Sequence, residues 1–184
     1  VKWLKRILIT FFSLFLLGII TVTATYFYVL PDLPDVATLK NVQLQTPLKI
    51  YSQDGKLISQ FGEKRRIPLE LTQIPKPLLQ AFIATEDSRF YEHKGVDPVG
   101  VLRAAIVMVT TGQKRQGAST ITMQVARNFF LTRDKKFIRK IKEIFIALHI
   151  EQLLTKDEIL ELYVNRIYLG QRAYGVGAAA QVYY

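Results

Sequence analysis

Apolar and polar positions along this chain divide it into an uncharged run, a punctuated stretch and a series of helical patterns. From Ile7 to Leu30 no residue is charged, and ILITFFSLFLLGIITVTATYFYVL is long enough to cross a bilayer as a helix. It is longer than the apolar core of most signal peptides. Lys2, Lys5 and Arg6 precede it, and Asp32 and Asp35 follow. The positive-inside rule then places the N-terminus in the cytoplasm and everything after Leu30 on the far side. Trp3, Tyr26 and Tyr28 fall where interfacial aromatics belong. A core helix would have to hide an apolar cylinder inside a small domain, so the run reads as a single-pass anchor.

Residues 31–66 read as a linker without helical periodicity, punctuated by Pro31, Pro34 and Pro47. Within it, Leu48 to Ser52 and Lys56 to Phe61 alternate like strands, and Asp54-Gly55 suits a hairpin turn. From residue 67 the pattern turns helical. Leu78, Leu79, Phe82 and Ile83 recur at helical spacing after Pro77, which suits a first turn. Continued, that spacing sets Glu86 on or beside the apolar face. Either the helix frays near Thr85 and the carboxylate meets solvent, or it is partly buried and needs a reason.

VGVLRAAIVMVTTG follows Asp97-Pro98 as an apolar helix with one charge, Arg103. It suits a core helix or an element lying on a bilayer surface. In GASTITMQVARNFF, Ser119 or Thr120 can cap a helix. Thr120, Gln124 and Arg127 then form one polar stripe, while Ile121, Val125 and Phe129 point inward. Phe137, Ile141, Ile144, Phe145 and Leu148 predict a long amphipathic helix from about Lys136 to Leu154. Thr155 and Glu158 form a capping box for a further helix, whose Ile159, Leu162 and Tyr163 suit a core. The last residues, AYGVGAAAQVYY, permit close helix packing and end mid-pattern, as though a domain were cut.

Net charge is +10, which calls for an anionic partner. With an anchor ahead of the basic segments, nucleic acid is not that partner. There are no cysteines, which excludes disulfides and thiolate metal sites, and the two histidines are far apart in sequence, which argues against a histidine-rich one. Six cations at Arg133, Lys135, Lys136, Arg139, Lys140 and Lys142 outnumber Asp134 and Glu143. Such a face repels itself unless an anion docks there, although most charged runs are simply solvated.

Together these stretches resemble the peptidoglycan glycosyltransferases of family 51, most closely the N-terminal part of class A penicillin-binding proteins of the 1A type. The motifs come in the family's order. They are Glu86-Asp87 with Phe90, His93, Gly95 and Asp97; GASTITMQVARN at 117–128; Arg139-Lys140 with Glu143; and KDEILELYVN at 156–165. Three positions, in two stretches, depart from the family pattern. Met123-Gln124 and Arg127 stand where two glutamines and a lysine are usual, and Arg172 stands where glycine is common.

The resemblance implies a mainly α fold: a lysozyme-like glycosyltransferase domain over 67–184, truncated at its C-terminus, behind a cytoplasmic stub with one transmembrane helix (1–30) and a linker with a short β-hairpin (31–66). It implies lipid II and a growing glycan strand as substrates, an inner-membrane location, and regulators of cell-wall synthesis as partners. Glu86 would be the general base, removing the proton of the acceptor 4-hydroxyl as undecaprenyl pyrophosphate leaves. Partial burial would raise its carboxyl towards the working pH. Glu143 would be essential near the donor pyrophosphate, as a ligand of Mg2+ or Mn2+. Asp87, Phe90, Ser119, Thr120, Gln124, Arg127, Lys135, Arg139 and Lys140 would bind substrate, the cations meeting the leaving group's charge. His93 reads as a brace for its loop. A transpeptidase domain would lie beyond Tyr184. Two other readings stay open: a glycan hydrolase, which needs no pyrophosphate site, and a membrane-anchored scaffold whose basic helix binds acidic lipid.

Overall fold

A computed structural model describes residues 2–42, 47–62, 65–113, 117–131 and 136–184. The chain is mostly helical and forms two compact units, Val1–Pro34 and Asp35–Tyr184. The first unit is helix α1, Lys2–Val29, with a 3-10 turn at Leu30–Asp32. Its most apolar stretch has a mean hydropathy of 2.5 and is not covered by protein, so it is long and apolar enough to cross a membrane. Thr10, Thr21 and Thr25 each donate their hydroxyl to the carbonyl four residues back, which hides those polar groups inside the helix surface.

The second unit opens with more structure than an extended linker. Asp35 accepts a hydrogen bond from the Ala37 amide at 2.9 Å and starts a 3-10 helix, Val36–Asn41. Val36 and Leu39 are buried, and the turn packs on α5 (Lys136–Leu153). Two buried residues in six are too short a pattern to betray a helix in sequence. The hairpin forms from β1 (Leu48–Tyr51) and β2 (Leu57–Phe61), antiparallel with Leu48 opposite Phe61 and a bulge at Ile50/Tyr51. Its turn closes with the Ser52 amide donating to the Lys56 carbonyl.

The core lies where α4 (Ile121–Phe130) packs on both α5 and α6 (Lys156–Arg166). Ile121, Met123 and Val125 meet there with Ile146, Ile150 and Ile159, all at most 2% exposed. The capping box of α6 is formed: Thr155 accepts from the Glu158 amide, and Glu158 accepts from the Thr155 amide at 2.7 Å. Ile159 and Tyr163 are buried, whereas Leu162 is only half-buried.

The inward face of α5 differs from the one its large apolar residues predict. Glu143, Ile146, Ala147 and Ile150 are buried, while Phe137 is 84% exposed and Leu148 is also exposed. Close approach selects the face. A Cβ on Gly95, whose φ is +85°, would come within 2.8 Å of the Ala147 carbonyl oxygen. A small residue on the helix and a glycine opposite let the two backbones meet, and bulk on that side would hold them apart.

Helix α3 (Pro98–Thr111) is no core helix, because Leu102, Ile106 and Val109 are exposed. Arg172 has φ +62°, a left-handed conformation that favours glycine, so its departure from the family pattern sits at a strained position.

A strap at 65–69 ties the start of the domain to its end. Arg65 bridges in parallel to Ala173, and Asn165 clamps Leu69 from both sides, accepting from its amide at 2.9 Å and donating to its carbonyl at 2.7 Å. Asn165 is 5% exposed. Asn165→Ala strands two backbone groups and should lower stability by about 2–4 kcal/mol. The shift in the urea unfolding midpoint of the detergent-solubilised chain measures it.

Candidate active site

Helix α2 (Lys76–Glu86) ends at Glu86 because Asp87 leaves helical geometry, with φ −160° and ψ 73°. Glu86 is therefore exposed. That overturns the expected partial burial: Phe82 and Ile83 carry the packing, and the helix stops before its apolar face reaches Glu86. Its Oε2 accepts a hydrogen bond from Gln124 Nε2 at 2.8 Å.

The buried carboxylate is the next residue. Asp87 is 7% exposed, and both of its oxygens lie 3.0 Å from His93 Nε2. Asp87 Oδ2 also accepts the Ile121 amide at 3.0 Å, satisfying a donor that the first turn of α4 leaves open. A carboxylate only accepts, so His93 carries its hydrogen on Nε2. His93 thus braces its loop through Asp87. Thr120 caps α4, accepting from the Met123 amide at 3.1 Å and donating to the Gly95 carbonyl. Its hydroxyl is buried and fully used. Met123 is a core side chain, 2% exposed, which accounts for an apolar residue at that position.

Phe90 is completely buried beneath the same loop, with Lys156 Nζ 4.5 Å from its ring centre. On the other side, Lys140 donates to Ser119 Oγ at 2.7 Å and to Glu143 Oε2 at 3.1 Å. Arg139 Nε is 3.6 Å from Glu143 Oε1. Glu143, 3% exposed, is thus a buried anion between two cations. Those neighbours do not suit a divalent ion, and among the described residues no three His, Asp or Glu side chains gather into a metal-holding group. Arg127 is half-buried one turn beyond Gln124. Lys135 lies outside the described residues.

A cleft of about 340 Å³ runs between these parts, lined by Glu86, Asp87, Asp97, Arg103, Ser119 and Thr120 among others. Of the residues singled out from sequence, Glu86, Asp87, Ser119 and Thr120 line it. Gln124 and Lys140 reach its walls through Glu86 and Ser119. Phe90 and Glu143 stand behind it. Asp97 caps α3 through the Val99 amide and meets Arg89 at 3.2 Å. Burial pushes its carboxyl up, but the Gly100 amide, the Arg89 charge and the Val99 amide outweigh that and hold it below the ordinary range.

The family model described as Transglycosylase matches residues 54–184. This chain belongs to the transglycosylase family. It is 64% identical over 183 residues to penicillin-binding protein 1A of Vibrio cholerae, and equally to that of Escherichia coli. Each match covers 100% of this chain and 22% of the relative, so the chain spans about a fifth of the length of these curated relatives. The crystal structure of penicillin-binding protein 1A from Haemophilus influenzae matches at 33% identity over 76% of this chain and 11% of that one, with a TM-score of 0.31, too low to bear on the fold.

Sequence reasoning missed one support of this cleft. Glu151 on α5 accepts from Thr122 at 2.6 Å and from Lys156 at 2.7 Å, and Lys156 also donates to the His93 carbonyl at 2.6 Å. Lys156 opens the KDEILELYVN motif, and only its place in that motif signalled it. Lys156→Met leaves a buried Glu151 carboxylate without its cation. The variant should be about 2–4 kcal/mol less stable than wild type in chemical denaturation, and Lys156→Arg should recover part of that.

Proposed function

We propose that this chain is the glycosyltransferase portion of a cell-wall polymerase, joining lipid II units into β-1,4-linked glycan. The observation that carries the reading is the exposed Glu86 carboxylate, oriented by Gln124, in a cleft also lined by Ser119, to which Lys140 donates. A carboxylate placed so is open to a hydroxyl that needs deprotonation.

In this reading Glu86 takes the proton of the acceptor 4-hydroxyl. The oxygen attacks the anomeric carbon of the donor, the bond from that carbon to the pyrophosphate oxygen breaks, and configuration inverts. Fixed cations near the cleft, Lys140 first, meet the charge growing on the departing pyrophosphate without having to reorganise. Glu143 serves by holding Arg139 and Lys140 in place.

Helix α1 anchors the chain in the inner membrane with the N-terminus in the cytoplasm, as the flanking charges require. The exposed apolar side chains of α3 suit contact with a lipid surface, as a lipid-borne substrate calls for. Membership of the transglycosylase family and the 64% identity to penicillin-binding proteins 1A support the substrate class. A transpeptidase in the parent protein and binding of cell-wall regulators belong to this reading as well.

Polymerisation of purified lipid II by wild type and Glu86→Gln tests it. The variant should fold normally, since Glu86 is exposed, and lose about a hundredfold or more in rate. Equal polymer from both proteins would refute the role of Glu86.

A further inference from the structure

Tyr163 is a buried polar group for which the chemistry above has no use. It lies on α6, is 0% exposed, and has its hydroxyl in the interior with no hydrogen-bond partner among the described residues. A buried hydroxyl left unmatched costs about 1–3 kcal/mol, so phenylalanine would be the cheaper residue if only a ring were needed. The ring stands edge-on to Phe82 of α2, with centroids 5.9 Å apart and planes at 82°. Phe82 is one turn before Glu86.

Through Phe82 the ring lies beside the last turn of α2, and the charges that act on its phenol are Glu86 at the end of that helix and Arg127 on α4. Of the other segments against α6, α7 (Val176–Tyr183) and the turn Leu71–Gln73 carry no charged side chain, while the strap held by Asn165 carries Arg66 and α5 carries Glu151, which pairs with Lys156. Burial first, and then the Glu86 charge, push the Tyr163 hydroxyl far up, with Arg127 acting the other way. The phenol therefore stays a donor. Glu86 has one oxygen held by Gln124, an amide at the cleft where a sugar would compete for it, and the other without a hydrogen bond among the described residues.

Resting on the reading of Glu86 as the base, we infer that Tyr163 is its positioning residue: with substrate bound, the phenolic O–H donates to the Glu86 carboxylate and holds it as the Gln124 amide turns to the sugar. Hydrogen bonds of this kind are commonly unmade in a free enzyme and tighten in the complex.

Tyr163→Phe removes one hydroxyl and leaves the ring. The melting temperature should be unchanged or higher, because an unmatched polar group is gone. On lipid II, kcat should fall at least about tenfold while KM stays within about twofold. The acidic limb of the pH–rate profile should move to higher pH, since a hydrogen bond to a charged carboxylate lowers its pKa and losing it lets the value rise. Wild-type kcat with an unmoved limb would overturn the assignment and leave Tyr163 a core ring. A fluorinated tyrosine placed at 163, a stronger donor, should move the limb the opposite way, and an unmoved limb there overturns it equally. Glu86→Gln run alongside separates the two claims. If it stays active, the base itself is wrong; if it is dead while Tyr163→Phe behaves as wild type, only the positioning role fails.

Discussion

One buried carboxylate holds the site together. Asp87 accepts from His93 and from the first amide of α4, and so fixes three pieces of chain to one point: the end of α2, the loop through Phe90 and His93, and the start of α4. An acidic group is costly to bury, and this one is tolerated because its oxygens are met by donors. The pull on Asp87 is also what ends α2. It turns the backbone out of the helix and leaves Glu86 at the rim.

Two adjacent carboxylates thereby divide the work. Asp87 faces inward and builds; Glu86 is exposed at the cleft, held there by Gln124. A second pairing of the same kind stands at the cleft, where buried Glu143 fixes Arg139 and Lys140, and Lys140 reaches Ser119. In both places a buried anion positions groups that a substrate would meet. The loop between them rests on Phe90, Lys156 and Glu151, so the cleft is supported from below by a cation that touches a ring, a carbonyl and a carboxylate.

Much of this was legible in the chain. The apolar run of α1, the Asp54-Gly55 hairpin, the Thr120 cap and the Thr155–Glu158 box each depend on residues close in sequence, and they stand where local rules set them. What could not be read depends on long-range choices. The inward face of α5 follows from Ala147 meeting Gly95, not from where its bulkiest residues fall. The 3-10 turn at Val36–Asn41 is held by packing on a helix a hundred residues on. The exposure of Glu86 depends on Asp87 finding His93 and the Ile121 amide. Phe90 reads as a site residue in its motif and proves to be the floor beneath one. The full use of Thr120's hydroxyl by Gly95 and Met123 was likewise invisible until the loop closed on α4.

Asp87 is the joint of the site, and a double-mutant cycle of Asp87→Asn and His93→Phe tests that most directly. Unfolding free energies of the four proteins should show Asp87→Asn destabilising by about 3–5 kcal/mol and a coupling between the two residues of at least about 1 kcal/mol. The Asp87→Asn protein should also polymerise lipid II poorly even where it remains folded, because Glu86 is no longer held at the rim. Additive, near-neutral effects on stability together with wild-type polymerisation would contradict the account.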